Sequence, residues 1–147
     1  MPVSRGIEES VEEIVYMLNT DLISDIGKSC AQIKQVKGEI KWSGDYCGIL
    51  NDTVTYWFDS PSPNTPSDTN ICVGIDIKNA DKLFIGMGKF MTSKEIEKNY
   101  AIQYSQIEYD TVNDRYYSIF FSSAYIFEIA TDISGNITSD SECRVRY

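Results

Sequence analysis

The chain has 147 residues, 42% of them hydrophobic and 24% charged, a balance that suits one domain with a sizeable core. A net charge of −9 argues against nucleic acid or an anionic lipid surface as partner, since both require a surplus of Lys and Arg. The chain has no histidine, which removes Ser–His and Cys–His nucleophile pairs, the commonest metal ligand and the usual pH switch.

From the N-terminus, Ile7, Val11, Ile14, Val15, Leu18 and Leu22 fall at helical spacing, with Glu8, Glu9, Glu12 and Glu13 on the other side. The pattern predicts an amphipathic helix that breaks at Asn19–Asp21. A second helix is predicted over Ser29–Lys37, with Ile33 and Val36 turned inward and Gly38 as its stop. Ser29 and Gln32 have the spacing of a capping box. Gly27-Lys28-Ser29 matches the end of a phosphate-binding loop, but Leu22 stands where that motif needs its first glycine, so no nucleotide site is expected.

Strands follow. Glu39–Trp42 and Asp45–Leu50 flank a Ser43-Gly44 turn, and Asn51-Asp52 is the next turn. Thr53–Asp59 alternates with period two, Val54, Tyr56 and Phe58 on one face and Thr55 and Trp57 on the other. Ser60–Asn70 is a Pro/Ser/Asn loop. In Ile71–Ile77 the odd positions Ile71, Val73, Ile75 and Ile77 are expected on one face and Cys72 on the other. Leu83–Ile85 then leads through glycines to a helix at Thr92–Tyr100, capped by Thr92 and Glu95. Strands are predicted at Tyr104–Tyr109, Tyr116–Phe121, Tyr125–Thr131 and Glu142–Tyr147, with turns at Thr111–Asp114 and Ser134–Asn136. No apolar run reaches the roughly 18 residues needed to span a bilayer.

The two halves align at a shift of 62 residues, which carries Asn51-Asp52 onto Asn113-Asp114 and Phe58 onto Phe120. The fold expected from this is α+β within a single domain, 1–147. Two tandem helix-plus-antiparallel-strand repeats, 7–79 and 80–147, would share one sheet with the helices on one face. The cysteines Cys30, Cys47, Cys72 and Cys143 lack metal-site spacing, and as an even set at wide spacing they permit two disulfides of unspecified connectivity. Disulfides would favour an extracytoplasmic location.

Leu83, Ile85, Gly86, Met87, Thr92, Ser93 and Ile96, followed by Tyr116, Ile119, Phe120 and Ile126, form a pattern. Leu22, Ile26, Gly27, Lys28, Ser29 and Ile33, then Tyr56, Phe58, Val73 and Ile75, repeat it in the first half. The pattern resembles the unit of β-lactamase-inhibitory-protein-like domains and of small bacterial surface lipoproteins. Lys89–Met91 is an insertion relative to that unit. The resemblance implies a bacterial, secreted or lipid-anchored, non-enzymatic protein that acts by protein–protein contact, with any export signal and lipid anchor upstream of residue 1.

The functional expectation is therefore a non-enzymatic, extracytoplasmic binding protein with no cofactor and no metal, using an aromatic-rich sheet face to hold a protein. The candidate binding residues are Trp42, Tyr46, Trp57, Tyr104, Tyr109 and Tyr117. Tyr117, Ile119 and Phe121 are the outward positions expected beside them in the second half. Acid pairs such as Glu108 with Asp110 or Asp140 with Glu142 lack the D-x-D-x-D-G calcium loop. Two other readings are an intracellular immunity-type or adaptor protein, which free thiols would favour, and a hydrolase using carboxylates alone, which would need paired acids in an apolar cleft.

Overall fold

An antiparallel sheet of eight strands organises the molecule, and one row of side chains runs across all eight. A computed structural model of the chain describes residues 14–43, 47–50, 53–59 and 67–147. The sheet's strands are β2 (Lys41–Ser43), β3 (Cys47–Leu50), β4 (Val54–Phe58), β5 (Cys72–Ile77), β8 (Gln103–Asp110), β9 (Arg115–Phe121), β10 (Ile126–Thr131) and β12 (Cys143–Arg146). Their order is β2-β3-β4-β5-β12-β10-β9-β8. Register aligns Trp42, Gly48, Tyr56, Ile75, Val145, Phe127, Phe120 and Tyr104 as successive cross-strand neighbours. Tyr56, Ile75, Val145, Phe127 and Phe120 are almost wholly buried, so this row is the floor of the core. Gly48 is required within it, because a Cβ there would lie 2.3 Å from Ile40 Cγ2.

The core face is covered by short helices and by extended chain. Helix α1 (Thr20–Ile23) has four residues, α2 (Cys30–Lys37) and α3 (Ser93–Tyr100) eight each. Between them run the two-stranded pairs β1 (Met17–Leu18) with β6 (Phe84–Ile85) and β7 (Phe90–Thr92) with β11 (Asn136–Thr138). Leu83, Phe84, Ile96, Ile102 and Ile137 pack down onto the sheet from these segments. The expected pair of helix-plus-strand repeats with helices on one face is thereby corrected. The described chain is predominantly β, and its helices are at most eight residues long. Strand pairing rather than helical periodicity builds most of it.

Both predicted capping boxes are present. Ser29 Oγ accepts from the Gln32 N–H at 3.2 Å while Gln32 Oε1 accepts from the Ser29 N–H at 2.9 Å. Thr92 and Glu95 make the same exchange at 3.2 and 3.1 Å. Three other expectations fail for identifiable reasons. The amphipathic helix through Leu18 is not formed over its described part: residues 14–16 have no regular structure and Met17–Leu18 pair with Phe84–Ile85, while residues 1–13 lie outside the described chain. Gly86, at φ 92, admits this strand, since a Cβ there would meet Val15 O at 2.4 Å. Val36 is 73% exposed rather than inward, because the inward stripe of α2 runs through Cys30, Ile33 and then Lys37. Finally, a bulge opposite Trp57 and Phe58 pairs Trp57 with Gly74 but Phe58 with Cys72. Val73 is the extra residue; it and Ile71 are partly exposed, and Cys72 is buried.

The long polar loop ends in an ordered cap rather than a loose connection. Asn70 Oδ1 accepts from the Ser67 N–H at 2.8 Å, and the Asn70 and Asp68 carbonyls accept from the Cys30 and Ala31 N–H groups at the start of α2. Residues 60–66 of that loop lie outside the described chain.

Candidate functional site

Opposite the core, the other face of the sheet carries Trp57, Thr55, Asp76, Arg144, Arg146, Glu128, Tyr117 and Phe121. No described helix covers it. Period-two alternation puts them there: β4 turns Val54, Tyr56 and Phe58 to the core, so Trp57 points away and is 42% exposed. In β12, Cys143 and Val145 are buried, so Arg144 and Arg146 point out.

All three arginines among the described residues lie on this face, each beside a carboxylate. Arg115 Nη1 donates to Glu142 Oε2 at 2.8 Å, and Arg146 Nε to Glu128 Oε1 at 3.0 Å. Arg144 Nε approaches Asp76 Oδ1 at 3.5 Å, but Asp76 Oδ1 makes no hydrogen bond among the described residues, although that atom is buried. Burial pushes the Asp76 carboxyl above its ordinary range, opposed by a hydrogen bond from Trp57 and the charge of Arg144. The Arg144 guanidinium also lies over the Tyr117 ring, 5.3 Å from its centre, which shields that ring to 4% exposure.

These side chains frame a shallow open depression of about 400 Å³, lined by Trp57, Val73, Gly74, Asp76, Arg144 and Arg146. A smaller one of about 160 Å³ continues along the β5–β12 seam past Lys78 and Glu142. Gly74 keeps the floor low, since a Cβ there would meet Val145 O at 3.3 Å and Arg146 Cβ at 3.5 Å. The bulge at Val73 sets an apolar side chain beside Trp57 that regular pairing would have turned to the core.

The six candidate aromatic residues do not form one patch. Trp42 lies in the core row, its ring 5.1 Å from Phe58, and Tyr104 likewise lies 5.4 Å from Phe120. Both were expected to extend the binding face; their register places them on the opposite side. Tyr46 lies outside the described residues. Tyr109 is half exposed near the tip of the β8–β9 hairpin, against Tyr116 at 5.0 Å and hydrogen-bonded to Asp114. Trp57 and Tyr117 share the helix-free face but stand four strands apart, roughly 19 Å across the sheet, and Trp57 lies in the row of Phe121, four residues along from Tyr117. The charged residues between them were missed. Their signal was the alternation in Cys143-Arg144-Val145-Arg146 and in Ile75-Asp76-Ile77, which places charges opposite core residues.

A second charged cluster is buried under the core side. Asp25, whose side chain is 2% exposed, accepts from Tyr56 Oη at 2.8 Å and pairs with Lys37 Nζ at 2.9 Å and Lys28 Nζ at 3.5 Å. Both carboxylate oxygens are engaged, which suits a structural tie between α2, the α1–α2 turn and β4. Cys30, Cys72 and Cys143 are buried free thiols, so no two of these three are bridged; the Cys47 side chain lies outside the described residues. Among the described residues no Cys, Asp or Glu group is placed to hold a metal ion, and no helix is long and apolar enough to cross a membrane. Comparison with protein-family models, with characterised proteins and with solved structures returned no match to this chain.

Proposed function

We propose that the chain is a non-catalytic protein-binding module whose contact surface is the helix-free sheet face centred on Trp57, Asp76, Arg144 and Arg146. The observation that carries this reading is composition at one place. An exposed tryptophan and two arginines, Arg144 and Arg146, line one depression on a face that no described helix covers, and tryptophan and arginine are among the residue types that dominate the energetics of protein interfaces. The arginines are already oriented by carboxylates, so a partner would meet fixed donors rather than freely rotating ones.

The carboxylate-hydrolase reading has less support. Asp76 and Glu142 share the smaller depression, but each is paired with an arginine, Arg144 and Arg115 respectively, rather than with the other carboxylate. The buried thiols lend no weight to the disulfide argument for an extracytoplasmic location, and the proposal rests on the face alone.

Quantitative affinity capture from the producing cells tests it, comparing wild type with Trp57→Ala/Arg146→Glu and with a control on the other side, Lys98→Ala. A protein retained by wild type and by Lys98→Ala but lost from the face variant is the expected result. Identical capture by all three would overturn the proposal.

A further inference from the structure

The centre of the helix-free face has a symmetry of charge that points to its occupant. The sheet's midline falls between β5 and β12, where Asp76 pairs in register with Arg144 and Gly74 with Arg146. Two residues further along, just past these ends of β5 and β12, stand Lys78 and Glu142, which line the smaller depression with Asp76 and Arg144. Successive rows across the seam thus read acid–base, base–acid, and gap–long side chain. We propose that the partner seated on this face is a second copy of this chain, packed face to face about a two-fold axis running along the β5–β12 seam; this rests on the protein-binding reading of the face.

A two-fold axis along the strand direction sets each β5 residue opposite the β12 residue of the same row in the other copy. Asp76 then faces the other copy's Arg144, Lys78 faces Glu142, and Arg146 enters the space above Gly74. Trp57 falls opposite Ile126, its row mate across the seam. Elsewhere two copies of a chain with net charge −9 repel one another, whereas here acids meet bases. Under this axis β4 lies opposite the other copy's β10, so the matched region is the four central strands β4, β5, β12 and β10.

Charge reversal across the seam tests the pairing by sedimentation equilibrium. Wild type is expected to be a dimer. Asp76→Arg and Arg144→Glu each create two like-charge contacts per dimer, and each alone should weaken association at least about a hundredfold. Mixed together, the two variants should re-form a dimer, since every contact in the mixed pair joins opposite charges. Should either variant fail to fold by circular dichroism, Lys78→Glu and Glu142→Lys repeat the design one row away. A monomeric wild type overturns the second-copy proposal. So does a dimer indifferent to the single reversals, or a pair of monomeric variants that does not recombine. The binding face itself is judged separately by the capture comparison, which scores a partner of any identity.

Discussion

Asp25 shows how a single buried charge is held. Its carboxylate is satisfied by Tyr56, Lys37 and Lys28, and removing one partner leaves an uncompensated group in the core. Lys37→Met is expected to destabilise the fold by about 3–5 kcal/mol, and Tyr56→Phe by about 1.5–3 kcal/mol, both read from urea unfolding. Alkali acts on the same core through a different route. Burial pushes Cys72 and Tyr100 up to about 12, from ordinary values of 9.0 and 10.0, and drives Tyr56 and Cys143 upward as well. A raised pKa in the folded state stabilises below the unfolded value and is lost above it. The unfolded chain releases these protons first, so stability should fall as the pH climbs from about 9 towards about 12. Urea midpoints measured across that window check this; a flat profile would mean that these groups ionise in the folded protein as they do in water.

Among the elements, the two capping boxes and the β4 alternation were legible, because each depends on residues adjacent in sequence. Ser29→Ala and Thr92→Ala should each cost about 1 kcal/mol of stability, measurable as a shift in the urea midpoint. What was not legible depends on a partner segment. Ile14 and Val15 read as helix until Phe84–Ile85 is there to pair Met17 and Leu18. Val73 reads as core until the β4–β5 register supplies the bulge. Val36 reads as inward until Asp25 draws Lys37 beneath α2. The candidate site followed the same rule. Trp57 and Tyr117 were found from alternation, whereas Trp42 and Tyr104 were assigned to the wrong face, because β2 has only three residues and β8 shifts register between Tyr104 and Gln106. Asp76 and Arg144 became visible only when register set them side by side.

At the scale of the whole molecule, the sheet separates two environments. One face is closed by apolar packing that includes Tyr56, Phe120 and Phe127; the other carries paired charges, Trp57 and the shallow seam. A photo-crosslinking residue placed at position 57, and in a separate variant at position 98 on α3, tests this division most directly in the cells that make the protein. Discrete adducts from position 57 and none from position 98 are expected, with the principal adduct at twice the 16.7 kDa chain mass if the partner is a second copy. Adducts from position 98 with none from position 57 would contradict the assignment of the helix-free face as the binding surface.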